Sequence, residues 1–407
     1  MEERPRNLKA MLSEAKDTSE LMVDLGYAAL FFGDERMADE VHELEELLTD
    51  LVHEMREVCV LAGRNKRDAE QIASVLHVVS AIERMGNAAV DISRVVTHRL
   101  GIPSSLVADL ADAEEVSHRV RVRAESFLAN RSLETAELPT ETGMRVVAVR
   151  RGREWLIDPD GDEMLVPEDV LILRGPRDGI DEVRELAGAP VWRTAVAEEI
   201  TAVSDLDRAV DVLVEMKNVS EAAVGLAYSA LLLKDQGLAA QVTQLEDRLD
   251  EMREQLELWV LRAGAETVDP SGLRGLLHLG AASEEVGDAA QQLVWLVEQD
   301  EEMHPILAVA LGEADEVFVQ YPIAAGSFLD GAKVTGSQIG DDTGFHLLAI
   351  KRGGRYFYRP RRLTFGAGDE ILATGPWEGR GELAKQCGFR LVEDDDTGVV
   401  ELVPVGG

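Results

Sequence analysis

Carboxylates spaced four residues apart fall on one face of a helix, and two such pairs brought together can grip a metal ion through oxygen. The chain offers Glu20 with Asp24, Glu46 with Asp50, and Glu83 followed by Asn87 and Asp91. Farther along it offers Glu246 with Asp250 and Glu284 with Asp288. Glu20, Asp24, Glu83, Asp91, Glu284 and Asp288 are therefore the candidate metal ligands. In a chain with 77 Asp and Glu residues such pairs also arise by chance, and a solvated acidic face is the better account. His77 and His278 precede Glu83 and Glu284 by six residues, off the face of those carboxylates, and read as partly buried residues at a bundle interface. No His-x-x-x-His or Cys-x-x-Cys spacing occurs, which argues against zinc.

A second chemistry comes from basic residues in an acidic chain. Arg150-Arg151 and Lys351-Arg352 stand at two turns between apolar runs, and Arg355, Arg359, Arg361 and Arg362 follow the second. Guanidinium groups suit bidentate phosphate contacts, so Arg150, Arg151, Lys351 and Arg352 are candidate contacts for an anionic ligand. Tyr356, Phe357 and Tyr358 could stack on a base, although such a run is more often a strand packed on its sheet. The competing role for these arginines is pairing with nearby carboxylates such as Glu154 and Asp158. No serine elbow, Walker loop or repeated cysteine–histidine pair is present, and the expectation is a protein that is not an enzyme.

These residues belong to a chain that repeats itself at an offset of 201. Ser19-Glu20 and Tyr27 return as Ser220-Glu221 and Tyr228, Leu76-His77 as Leu277-His278, Ser126-Phe127-Leu128 as Ser327-Phe328-Leu329, and Thr142-Gly143 as Thr343-Gly344. A period this long is a duplicated module, not a solenoid unit. In each module three stretches carry apolar residues at spacings of three and four. In the first copy these are Leu8 to Ala29, Met37 to Val58 and Ile72 to Ile92, which predict an antiparallel three-helix bundle. Val116 to Arg123 then alternates apolar with charged residues, a short helix is expected over Ser126 to Glu137, and Met144–Val149, Trp155–Ile157 and Val170–Leu173 read as strands. The predicted fold class is multidomain α and α+β: two three-helix antiparallel bundles, over 1–102 and 200–303, alternating with two small α+β domains, over 112–192 and 313–392.

Within that frame the third helix of each bundle carries Glu83-Arg84-Met85-Gly86-Asn87-Ala88-Ala89 and Glu284-Glu285-Val286-Gly287-Asp288-Ala289-Ala290, stretches that resemble the PhoU domain. The α+β domain resembles the RCK C-terminal (TrkA-C) domain. It does so through Val146-Val147-Ala148-Val149-Arg150-Arg151-Gly152 with Pro167-Glu168-Asp169-Val170-Leu171-Ile172-Leu173-Arg174-Gly175. In the copy the matching segments are Leu347–Gly353 and Gly366–Gly375. The resemblance implies regulation. RCK C-terminal domains form dimers that sense small ligands, cyclic di-AMP in some members. PhoU domains are helical regulators tied to phosphate uptake, several of which bind metal clusters through Glu/Asp-x-x-x-Asp pairs. No Gly-rich dinucleotide loop follows a strand, so NAD or ATP is not expected by that route.

A net charge of −36 speaks against nucleic acid as a partner, because neutralising phosphates needs a basic face. Only 8 lysines accompany 33 arginines, a balance suited to concentrated salt. Cys59 and Cys387 sit at non-equivalent positions and read as buried thiols in a reducing cytoplasm. The expected function is a cytoplasmic regulatory subunit for potassium or other cation transport. It would act on a membrane channel or transporter and sense a ligand such as a cyclic dinucleotide, as an intramolecular pseudo-dimer or a homodimer. Its rivals are a PhoU-type phosphate-signalling adaptor docking on a phosphate transporter component or sensor kinase, and a bundle that stores or senses metal ions.

Overall fold

The computed structural model describes residues 7–63, 65–103, 106, 109–110, 115–152, 154–190, 204–266, 270–311, 316–334, 337, 339–353, 355–358, 363–393 and 400–405. Asn7 opens the first helix, α1 (Leu8–Phe32), by accepting from the Ala10 N–H at 2.8 Å, and Gly33 closes it in the left-handed region at φ 60°. Asp34 caps α2 (Glu35–Ala62) and Asn65 caps α3 (Lys66–Thr97) in the same way, each side chain taking N–H groups that the helix start leaves orphaned. Met11, Leu12 and Leu25 from α1, Val41 and Met55 from α2, and Val75, Ile82 and Ala89 from α3 are fully buried between the three helices. Each large aliphatic among them contributes about 1.5–3 kcal/mol on leaving water.

The first β domain follows as β1 (Glu115–Arg121), β2 (Arg131–Ser132), α4 (Leu133–Ala136), α5 (Leu138–Thr142), β3 (Arg145–Arg151), β4 (Glu154–Ile157), β5 (Met164–Leu165), β6 (Val170–Pro176) and α6 (Gly179–Leu186). The sheet order is β1-β6-β3-β4, with β3 antiparallel to both β4 and β6. The single helix expected over Ser126 to Glu137 is instead a turn, the short strand β2 and the four-residue α4. Asn130 and Glu137 take positive φ, and Ser132 caps α4 by accepting from the Thr135 N–H, so the helix starts seven residues late and ends ahead of Pro139.

The second copy repeats the plan: α7 (Asp205–Leu233), α8 (Gln236–Glu266) and α9 (Arg274–Glu298), then α10 (Pro305–Leu311), β7 (Glu316–Pro322), α11 (Ile339–Thr343), β8 (His346–Arg352), β9 (Arg355–Tyr358), β10 (Glu370–Pro376) and α12 (Arg380–Gln386). Ser204 and Asp207 form a reciprocal capping box at the start of α7. The second sheet has the order β7-β10-β8-β9, the same topology as the first. It encloses a core that includes Tyr321, Phe345, Phe365 and Leu383. A terminal hairpin of β11 (Phe389–Glu393) and β12 (Val400–Pro404) is added here, and Phe389, Leu391 and Leu402 pack on that core. Nothing in the repeat announces it.

The four segments alternate along the chain but group by kind. One unit is drawn from Met1–His118 and Arg193–Ala314 and holds both bundles; the other, Arg119–Trp192 with Asp315–Gly407, holds both β domains. Among the described residues no helix is long and apolar enough to cross a membrane.

Candidate functional site

In the β unit the basic hairpins are built around a carboxylate that the repeat carries twice. Arg151, at the end of β3, donates from Nε and Nη2 to the two oxygens of Asp169 at 3.0 and 2.8 Å, and Nη2 also reaches the Met164 carbonyl. Asp169 is buried, accepts from the Val166 N–H, and shares Arg151 with Glu163, 2.9 Å from Nη1. Arg352 does the same with Asp369 at 2.7 and 2.6 Å, with the Thr364 carbonyl as its further acceptor and the Gly366 N–H completing Asp369. The Arg352 guanidinium holds the Asp369 carboxyl below the usual carboxylate range. The same bonding raises both arginines. These two of the four expected ligand contacts are thus fork-to-fork braces that pin the hairpin to the turn before the last sheet strand. Of the partners foreseen for them, Asp158 is taken by Arg145 at 3.0 Å.

Arg150 and Lys351 precede the braces by one residue and so leave the strand on the opposite face. Arg150 lies 5.9 Å from the centre of the Trp155 ring, its register partner on β4. Lys351 is in register with Tyr356 on β9 and Glu370 on β10. Arg359, Arg361 and Arg362 fall outside the described residues.

The two β domains meet through α5 and α11. The repeated Thr-Gly dipeptides make that seam. Thr142 and Thr343 are buried and donate back to the Leu138 and Ile339 carbonyls at 2.7 and 2.5 Å. Gly143 and Gly344 then turn the chain at φ 69° and 71°. A Cβ on Gly143 would stand 2.8 Å from the Gly340 oxygen, and one on Gly344 would stand 2.5 Å from the Pro139 oxygen. Since Gly340 and Pro139 are themselves equivalent positions, the contact is reciprocal about a pseudo-two-fold, and one chain supplies both halves.

In the helical unit the expected metal ligands do not converge. Among the described residues no group of three or more His, Cys, Asp or Glu side chains is placed to hold a metal ion. Glu20 receives Lys16 Nζ at 2.6 Å, Glu83 receives Arg56 Nη2, Glu284 receives Arg253 at 2.9 Å, Asp288 receives Arg84 at 2.6 Å, and Asp91 pairs with Arg94. Asp24 is buried, whereas Glu46 and Asp50 are exposed. Glu246 sits against Asp250 and Asp288 and accepts from Gln291 at 2.8 Å; burial first, then those carboxylates, push it up to about 7.

What the sequence reasoning missed is a pair of buried lysines. Lys16 is fully buried and Lys217 nearly so, each paired with the glutamate four residues on, Lys217 with Glu221 at 2.7 Å. Each also faces the tyrosine of the other bundle: Lys16 Nζ is 5.3 Å from the Tyr228 ring centre and Lys217 Nζ is 5.1 Å from that of Tyr27. Tyr27 shares a hydrogen bond with Ser283 at 3.1 Å, and burial, then Glu221, pushes its hydroxyl far above the ordinary range. The signal was available, since two of the chain's eight lysines stand 201 residues apart. His77 meets the expectation of an interface histidine, stacking on Trp295 at 5.1 Å with Nε2 at 2.6 Å from the Gln292 carbonyl. His278 is exposed, because the position equivalent to Trp295 in the first copy is Arg94. Cys59 and Cys387 are both buried thiols, and burial pushes Cys387 up to about 12.

Known proteins resemble parts of this chain. Ktr system potassium uptake protein C of Bacillus subtilis is 31% identical over 85 residues, 21% of this chain, and the matched region spans 38% of that protein's length. The crystal structure of PhoU from Pseudomonas aeruginosa is 16% identical, covers 71% of this chain and 93% of its own, and superposes with a TM-score of 0.39. The GsuK RCK domain is 13% identical, covers 67% of this chain and 63% of its own, with a TM-score of 0.17. The models of two domain families match directly, and the chain carries PhoU domains at residues 12–96 and 213–295 and a TrkA-C domain at residues 118–188.

Proposed function

We propose that this chain is a regulatory subunit of potassium or other cation transport, in which the paired β domains sense an anionic ligand and the PhoU bundles engage a membrane transporter or its partner. The observation that carries the reading is the reciprocal α5–α11 seam, together with the braced basic hairpins at the far ends of β3 and β8; it supports a ligand-sensing pair of TrkA-C type held within one chain. The similarity to a potassium uptake protein over 85 residues supports the transport assignment. On this reading Arg150 and Lys351 make the ligand contacts, while Arg151 and Arg352 hold the hairpins that present them. Binding at the hairpins would favour one arrangement of the two β domains over another and so shift a two-state equilibrium.

A calorimetric titration of the whole chain with cyclic di-AMP in concentrated KCl, with ATP as control, tests this. Micromolar or tighter binding of the cyclic dinucleotide alone, lost in Arg150→Glu and Lys351→Glu, is the expected result. Neither heat nor a thermal shift would remove that ligand. The PhoU domains, which match both bundles, would then favour the phosphate-signalling adaptor.

A further inference from the structure

The two bundles meet along α3 and α9, which run antiparallel. Descending α3 from Arg84 to His77 to Gln71, the partners ascend α9 and beyond, from Glu285 and Asp288 through Gln292 and Trp295 to Glu302. At the centre of this seam residue 84 meets its own duplicate: Arg84 Nε donates to Glu285 at 2.7 Å, and Nη2 donates to Asp288 at 2.6 Å. A pseudo-two-fold therefore passes between Arg84 and Glu285. At such an axis a true repeat would set like against like. Here both contact positions have diverged, Arg84 against Glu285 and Asn87 against Asp288, and both differences make the facing surfaces complementary. Other positions on the same interface are mixed: Lys16 and Lys217 with Tyr228 and Tyr27 stayed identical, whereas Trp295 stands against Arg94 in the first copy without a reversal of charge between facing residues.

We infer that Arg84 with Asn87 on one bundle, and Glu285 with Asp288 on the other, form a pairing code that makes the first bundle accept the second and disfavours the pairing of either bundle with a like copy. A first bundle offered to another first bundle would place Arg84 on Arg84. A second offered to a second would place Glu285 on Glu285 and Asp288, a worse case because Asp247, Asp250, Glu284 and Asp288 already crowd Glu246. Like charges brought together across an interface cost more than a lost contact, which is how partner choice is commonly enforced. The code lets duplication lock the pseudo-dimer inside one chain, where a homodimer of single modules would need a self-complementary face. It also accounts for the replacement of Asp288 by Asn87 in the first copy without invoking a decayed metal site.

The test uses four forms of the whole chain. R84E/N87D gives both bundles the second copy's pair; E285R/D288N gives both the first copy's pair; R84Q/E285Q removes attraction without adding repulsion; and R84E/N87D/E285R/D288N exchanges the pairs. Thermal unfolding in dilute KCl is expected to place the two like-coded forms ~4 °C below the parent, with the exchanged form within ~1 °C of it and the neutral form between. The spread should contract in concentrated KCl, because Arg84 and Glu285 keep 35% and 38% exposure and are open to screening. An exchanged form that melts as low as the like-coded ones overturns the inference. So does a like-coded pair that melts no lower than the neutral form.

Discussion

The two β domains and the two bundles treat the same duplication differently. In the β domains the core of the polar construction is copied: Arg151–Asp169 and Arg352–Asp369 share geometry down to the acceptor on a backbone carbonyl, and Thr142 and Thr343 lock the same helix end, while Glu163 joins the brace in the first copy. In the bundles the side chains buried near the dyad are copied, Lys16–Glu20 with Lys217–Glu221, whereas those at the half-exposed centre of the seam are reversed, Arg84 against Glu285. The difference follows from what each group must satisfy. A brace internal to one domain depends only on its own copy, so both copies need it. A group on the dyad depends on its duplicate, so one copy is free to change only if the other changes with it.

The sharpest way to break the symmetry of the β unit is at its glycines. Gly344→Ala is expected to cost about 3 kcal/mol, and Gly143→Ala somewhat less, since both force a Cβ into the left-handed region against a carbonyl oxygen of the facing domain. The ordering follows the approach distances, 2.5 Å against 2.8 Å. Chemical denaturation of the two variants checks it; equal losses would mean that backbone strain, which the two sites share, outweighs the seam.

Next in size is the buried lysine pair. Lys16→Ala leaves Glu20 and Asp17 without their shared cation and opens a space against Tyr228; Lys217→Ala does the same beside Glu221 and Tyr27. Removing one partner of a buried pair costs about 3–5 kcal/mol, and the glutamates here are partly solvated, so ~2 kcal/mol is expected for each. Measured unfolding free energies should agree within error. A much smaller loss at one site would show that the bundles no longer depend equally on the pair.

Asp169→Asn and Asp369→Asn follow, at roughly 1–2 kcal/mol each, because a buried acceptor is weakened while the arginine stays half-exposed and can turn to water. Should the variants unfold alike but only one lose ligand heat in a titration, the two hairpins would be distinguished as sensing and scaffold copies.

Much of this was legible in the residues. The helices of both bundles announced themselves through spacings of three and four, as Leu8, Met11, Leu12 and Ala15 do, because burial against two neighbours leaves a wide apolar stripe. The duplicated Thr-Gly dipeptides were legible as part of the repeat, but that they form the β seam was not, because the contact joins two distant segments of the chain. The pairing of Arg151 with Asp169 was not legible, since the two are brought together by sheet register across 18 residues, and nearer carboxylates offered themselves first. The partners of the candidate metal ligands were hidden for a related reason. A helical face lists which carboxylates are neighbours, but the cations that claim them, Arg56, Arg84 and Arg253, come from other helices. Lys16 escaped notice because a buried lysine in a helix has no period of its own; only comparison with Lys217 exposes it.

The smallest effect separates the copies through pH. Glu246 is pushed up to about 7 by burial and by Asp250 and Asp288, whereas position 45 of the first copy, Glu45, faces Thr49. The folded chain therefore holds the Glu246 proton in a range where the unfolded chain has released it, and stability from this group is full below about 4.5 and is lost as pH rises through about 7. Asp369 carries the opposite sign: its carboxyl is held low by Arg352, so its contribution is present at neutral pH and is lost only as acid protonates the folded state. Glu246→Gln, which keeps an acceptor for Gln291, is expected to leave the melting temperature at pH 5 nearly unchanged and to raise it by ~1–2 °C at pH 8. Melting curves at the two pH values decide the matter. An equal shift at both would assign the effect to packing of the amide instead of to a proton retained by the fold.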